Sequence, residues 1–161
     1  AEGKCEPFII VMTYGMTNEA RHGTIGSFNP KNFETVLVDE LIPYIDSNFR
    51  TIPNKKNRAM AGLSMGGMET KNITLARPEV FDYYGLFSGG TYSPSDLKDV
   101  KPRLIFTSCG SKENPEGVKK SVEDLKAAGF NAVSYVSDGT AHEFLTWRRS
   151  LKEMAPLLFK K

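Results

Sequence analysis

The chain has few of the residues that build metal centres and disulfide frameworks. Its 161 residues include two cysteines, Cys5 and Cys109, and two histidines, His22 and His142. That is too few for a cysteine framework, a cysteine-based zinc site or a histidine-rich metal site. Both thiols are therefore expected to be free, and neither a metal nor a cofactor is expected. Charge of one sign is also missing. Lys and Arg total 21 against 19 Asp and Glu, a formal net charge of +2, which gives no reason to expect nucleic acid or a membrane surface as a partner. No apolar run approaches the roughly 20 residues that a spanning helix needs. Internal repeats, linkers and composition shifts are absent too. With 40% hydrophobic and 25% charged residues, the expectation is a single globular domain over residues 1–161.

What is present is an alternation of strand and helix patterns. Phe8–Met12 (FIIVM) is a continuous apolar run that suits a strand buried on both faces. After a glycine-punctuated stretch, Asn29-Pro30 opens an amphipathic helix. Its stripe is Phe33, Leu37, Leu41 and Ile45, widened by Val36 and Tyr44. Pro43 lies inside that helix and should kink or shorten it. Arg58–Leu63 (RAMAGL) reads as a short buried strand, Gly66–Ala76 as a helix stopped by Pro78, and Tyr83–Phe87 as a strand ending in Ser88-Gly89-Gly90. Leu104–Thr107 is the next strand. Asn114-Pro115 then opens a helix with Val118, Val122 and Leu125 on its core face. Ala132–Val136 is the last strand, and Trp147, Leu151, Met154 and Leu158 mark a closing helix. Five such alternations predict an α/β fold, a mostly parallel sheet with helices on both faces.

The most informative stretch is Gly62-Leu63-Ser64-Met65-Gly66-Gly67, a G-x-S-x-G pattern with one further glycine. It falls between a predicted strand and a predicted helix, where a nucleophile elbow lifts a serine above the sheet edge. Glycine is expected on both sides, because side chains there would strike the neighbouring strand and helix. The helix start favours negative charge.

A serine hydroxyl needs a base. His142 follows the last strand, where such sheets place their sites, and the order nucleophile, acid, histidine is that of α/β-hydrolases. His22, before the elbow, is the weaker candidate. The acid should follow the penultimate strand, which selects Glu113; Asp138 is the rival, with Asp96 and Asp99 further alternatives. The Met65 backbone N–H should provide one oxyanion donor. The second has no evident source, and Thr13-Tyr14-Gly15, after the first predicted strand, would have to substitute.

These residues resemble the putative-esterase branch of the α/β-hydrolases, which includes feruloyl esterases of carbohydrate esterase family one, enterochelin esterases and esterase D. RAMAGLSMGG is the most specific stretch. LIPYIDSNF is similar to the helix before the elbow, proline included, CGSKE to a C-G-x-x-D segment, and AHEFLTWRRSL to an H-[DE]-F-x-x-W-x-x-x-L ending. The resemblance to feruloyl esterase modules attached to bacterial xylanases is the strongest.

It implies nucleophile Ser64, base His142 and acid Glu113, a glutamate where the family usually has aspartate. Trp147 matches a family tryptophan, and Tyr14 and Trp147 are candidate substrate contacts, although ordinary packing accounts for each equally well. The family has earlier strands and an L-L-H-G loop ahead of the first segment seen here. The expectation is thus an α/β-hydrolase fold that is N-terminally incomplete, comprising strands four to eight of the family pattern. A preceding segment or a swapped homodimer would complete the sheet. The chain starts Ala1-Glu2-Gly3-Lys4 with neither an initiator methionine nor a signal peptide, as a processed or cut terminus would.

The implied activity is a cofactor-free serine esterase acting on feruloyl or acetyl esters of plant polysaccharide, outside the cell or in the periplasm. A siderophore or small-thioester hydrolase, an acyltransferase and a catalytically incomplete binding domain remain open alternatives.

Overall fold

A computed structural model describes residues 3–15 and 30–160. The chain forms two compact units, one of Ala1–Pro7 with Asn54–Lys161 and the other of Phe8–Pro53.

In the Phe8–Pro53 unit, residues 8–12 are not a strand. They belong to none of the ladders among the described residues, and Ile9, Ile10, Val11 and Met12 are all exposed. An extended segment becomes a buried strand only if neighbours take up its backbone N–H and C=O groups, so hydrophobicity and β-branching were not enough here. The helical segment is α1 (Pro30–Thr35), a π-helical stretch (Val36–Leu41) and α2 (Ile42–Asn48). Pro43 lies in the first turn of α2, where its missing N–H and bulky ring disturb the preceding turn. The expected kink takes the form of wider turns before it, and the Ile42 N–H reaches back to the Leu37 carbonyl. That change in pitch rotates the apolar face. Phe33 and Val38 are buried and Leu37, Leu41 and Ile45 half-buried, whereas Val36 and Tyr44, expected to widen the stripe, are exposed.

The other unit is built on a four-stranded sheet: β1 (Ala59–Leu63), β2 (Tyr83–Phe87), β3 (Leu104–Gly110) and β4 (Ala132–Ser137), in that order and all parallel. Neighbours pair in register as Leu63 with Phe87, Phe87 with Ser108, and Cys109 with Val136. Helix α3 (Met65–Ala76) packs on β1 and β2, α4 (Pro115–Ala127) on β3 and β4, and α5 (Phe144–Met154) on β2, β3 and β4. Every residue of β2 and β3 is buried, as expected for interior strands of a parallel sheet. β1 was expected to be buried, but it lies at the edge of this sheet and is half-exposed.

Local sequence accounts for the start of α4. The Asn114 side chain accepts the Gly117 N–H and Pro115 opens α4, whose Val118, Val122 and Leu125 are buried as the spacing predicts. The closing helix departs from its predicted stripe. Leu151 is exposed, and the buried face carries Thr146, Ser150 and Met154. The two hydroxyls are accommodated because they have partners: Ser150 Oγ accepts from Ser108 Oγ and donates to the Thr146 carbonyl, each at 2.8 Å, and Thr146 Oγ1 donates to Thr140 Oγ1 at 2.6 Å. With four strands pointing the same way, the segments after Leu63, Phe87, Gly110 and Ser137 all emerge at one edge.

Candidate active site

Ser64 leaves β1 and caps α3 with φ 52° and ψ −119°, a left-handed backbone that is costly for a residue with a side chain. Its N–H donates to the Phe87 carbonyl at 2.8 Å, which ties the turn to β2. The turn is too tight for a side chain at Gly62, where a Cβ would run into the Gly66 carbonyl group. At Gly66 itself a Cβ would meet nothing within 4 Å, so the expected demand for glycine on both sides of the serine holds only before it. The second constraint falls one residue later. A Cβ on Gly67 would stand 2.6 Å from the Gly89 Cα, because α3 and the segment after β2 touch backbone to backbone.

His142 stands in the loop between β4 and α5. Thr146 Oγ1, in the first turn of α5, reaches both Thr140 Oγ1 at 2.6 Å and the Ala141 carbonyl at 2.5 Å. The Lys112 N–H donates to the Thr140 carbonyl and Arg149 to the Asp138 carbonyl, each at 2.9 Å. The histidine loop is thus tied both to α5 and to the segment after β3.

These anchors bring together three side chains from distant parts of the sequence. His142 Nε2 is 2.7 Å from Ser64 Oγ, and His142 Nδ1 is 2.9 Å from Glu113 Oε1. An ionised carboxylate can only accept, so Nδ1 carries the proton and Nε2 is left to accept the serine's. The Glu113 Oε2 atom accepts from the Gly110 N–H at 2.6 Å and the Ser88 hydroxyl at 2.8 Å. Burial, the largest single influence, pushes the Glu113 carboxyl up. The Gly110 N–H, the His142 ring and the Ser88 hydroxyl together outweigh it and hold the group below the usual glutamate value. The cluster therefore has an ionised acid, an oriented imidazole and a serine within proton-transfer distance.

The other acid candidates fall elsewhere. Asp138 is exposed, and its backbone carbonyl accepts from Arg149. Asp96 forms an ion pair with Lys71 at 2.8 Å, and that contact keeps its carboxyl below the usual range. Asp99 is exposed. Met65 opens α3, so its N–H belongs to a first turn that has no acceptors within the helix. Tyr14 lies in the Phe8–Pro53 unit with its ring exposed. His22 is outside the described residues. Trp147 is half-buried, edge-on to the His142 ring at 5.1 Å and to Phe144 at 5.1 Å, and its indole N–H donates to Ser88 Oγ at 3.1 Å. Glu69, on α3, is 5% exposed, and its Oε1 has no hydrogen-bond partner among the described residues. Burial pushes it up to about 7.

A family model described as "Putative esterase" matches residues 3–154. The chain belongs to this family.

Among its relatives, an endo-1,4-beta-xylanase/feruloyl esterase of Xylanibacter ruminicola is 65% identical over 161 residues, which are 99% of this chain and 22% of that protein. An esterase of Mycobacterium tuberculosis is 37% identical over 87 residues, 53% of this chain and 18% of that protein. The chain therefore spans only a small part of the length of these relatives. Among solved structures, a CE1 ferulic acid esterase from Anaeromyces mucronatus superposes with a TM-score of 0.68 at 18% identity, covering 84% of this chain and 59% of that one. The enterobactin esterase of Shigella flexneri gives 0.64 at 22% identity, over 80% and 38%. At such identities the likeness shows the shared α/β-hydrolase fold.

Within this esterase family framework, sequence reasoning overlooked Ser88, Thr140 and Thr146. Ser88 had a visible signal, a serine before two glycines directly after a strand. The two threonines had none, because only the tertiary structure sets their hydroxyls beside the histidine loop.

Proposed function

We propose that this chain is a serine carboxylesterase that works through an acyl-enzyme and acts on feruloyl or acetyl esters of plant cell-wall polysaccharide. The observation that carries the reading is the unbroken hydrogen-bonded line Ser64–His142–Glu113, at 2.7 and 2.9 Å. Ser64 Oγ attacks the ester carbonyl carbon as its proton passes to His142 Nε2. Glu113 steadies the resulting imidazolium. The negative charge on the carbonyl oxygen is met by the Met65 N–H and the positive end of α3. When the C–O bond to the alcohol breaks, His142 gives its proton to the departing alkoxide. Water then attacks the acyl-enzyme and loses a proton to His142, which passes it to Ser64 Oγ as the bond between Oγ and the acyl carbon breaks and the acid leaves.

The substrate class rests on the family and on the name of the 65% identical relative, which pairs a xylanase with a feruloyl esterase. Phe144, with 78% of its surface exposed, and the adjoining Trp147 offer an aromatic face that suits an aryl acyl group. A polysaccharide substrate also places the working enzyme outside the cytoplasm.

The test is hydrolysis of methyl ferulate and p-nitrophenyl acetate, with and without a fluorophosphonate. Turnover that is abolished as Ser64 becomes labelled supports the proposal. A folded sample that neither turns over nor labels at Ser64 refutes it and favours a binding module.

A further inference from the structure

The segment after β2 contributes more to the site than a turn. Ser88 adopts φ 50°, a left-handed backbone in a residue that is not glycine, while glycines occupy the next two positions. Such a conformation is costly in a residue with a Cβ. If the chain needed only the turn, glycine would make it without that cost. The side chain present is a hydroxyl engaged on both sides. It accepts the Trp147 indole N–H at 3.1 Å and donates to Glu113 Oε2 at 2.8 Å. The Ser88 N–H continues the sheet ladder, donating to the Ser108 carbonyl at 2.8 Å, so the hydroxyl is held by the β2–β3 framework.

Glu113 has reason to need this. A glutamate side chain turns about three torsions where aspartate has two, so a glutamate acid has more freedom to swing away from its histidine. The Gly110 N–H and the Ser88 hydroxyl hold Oε2 from two directions, which leaves Oε1 facing His142 Nδ1. Trp147 joins the same arrangement from α5, its ring against the imidazole edge and its N–H on Ser88.

We infer that Ser88 is a positioning residue for the esterase reaction: its hydroxyl, oriented by the Trp147 indole N–H, clamps the Glu113 carboxylate so that it holds His142 in line with Ser64. This deepens the proposed function and rests on it.

Ser88→Gly separates the hydroxyl from the turn, because it removes the hydrogen bonds and relieves the left-handed strain together. The expected result is a kcat on methyl ferulate about tenfold lower with KM within about twofold. The melting temperature should fall only a little, because the relieved strain offsets part of what the lost hydrogen bonds contributed. Trp147→Phe, which keeps the ring and deletes the N–H, should lower kcat in the same direction by a smaller factor. Two readouts need no turnover. In the wild type the Nδ1–H proton of His142 should give a low-field NMR resonance that broadens or shifts in Ser88→Gly. Trp147 is the sole tryptophan, so its fluorescence should change when the acceptor at Ser88 is removed.

A Ser88→Gly variant with wild-type kcat and an unaltered Nδ1–H resonance overturns the inference. So does one whose loss of activity is matched by a large loss of melting temperature, since the role would then be structural. If the wild type itself hydrolyses nothing, the proposed function fails, while the resonance and fluorescence comparisons still decide whether Ser88 clamps Glu113.

Discussion

Replacing Glu69 by glutamine should make the protein more stable, and by an amount that depends on pH in a defined way. The carboxyl lies on α3, five residues beyond Ser64, with 5% of its surface exposed and Oε1 unpartnered among the described residues. Burial raises it from 4.5 to about 7, so the fold favours the neutral acid. Between those two values the folded state holds a proton that the unfolded state has given up, and stability falls as pH rises through that window. The slope is about 1.4 kcal/mol per pH unit, and the loss levels off near 3 kcal/mol, roughly, once both states are ionised above pH 7. A glutamine at this position imitates the neutral acid and has no such proton. Urea unfolding followed by far-ultraviolet circular dichroism at pH 4, 6 and 8 should find Glu69→Gln gaining on the wild type across the series. The difference between the proteins should grow by about 3 kcal/mol from pH 4 to 8. A difference that stays constant with pH would refute the reasoning, because it would mean that the folded protein does not favour the protonated carboxyl.

Gly62→Ala should prevent the elbow from closing and unfold the protein or abolish labelling at Ser64, whereas Gly66→Ala should be tolerated; melting curves and fluorophosphonate labelling of the two variants test this contrast. Glu113→Gln should lower kcat at least tenfold, roughly, while Asp138→Asn changes it less than about twofold, and the reverse ranking would move the acid role to Asp138. Because Glu113 is held below the usual glutamate value, the stability it adds is complete above that value and is lost as pH falls through the lowered one. Acid unfolding of Glu113→Gln should therefore lack that component. Thr146→Val should cost about 1–3 kcal/mol of stability by leaving the histidine loop's acceptors unmatched, which thermal unfolding measures, and should lower kcat as well.

The elements most legible in the sequence were those whose stability is local or fully enclosed. Tyr83–Phe87 is a strand with the bounds its apolar run indicated, and Asn114-Pro115 opens α4 through a cap that depends on neighbouring residues alone. Misreadings arose where the outcome depended on distant partners. Phe8–Met12 has the composition of a buried strand but belongs to no ladder among the described residues. Leu104–Thr107 runs on to Gly110 because Ser108, Cys109 and Gly110 pair with Tyr135, Val136 and Ser137 of β4. Leu151 fits the helical stripe, yet the buried face of α5 is turned toward Thr146 and Ser150.

The chemical vocabulary is legible in the linear chain: a serine at a strand–helix turn, one histidine after the last strand and a carboxylate after the strand before it. Spacing and residue type set these, because a tight turn and a strand end are short-range events. Which carboxylate meets the histidine was decided only in three dimensions. Glu113 and Asp138 both lie after sheet strands, but parallel register and the ties of Lys112 and Thr146 to the histidine loop bring the imidazole to Glu113. The tertiary structure alone also placed Ser88 and Trp147 behind that pair, because hydrogen bonds between residues 25 and 59 positions apart leave no periodic trace in the chain.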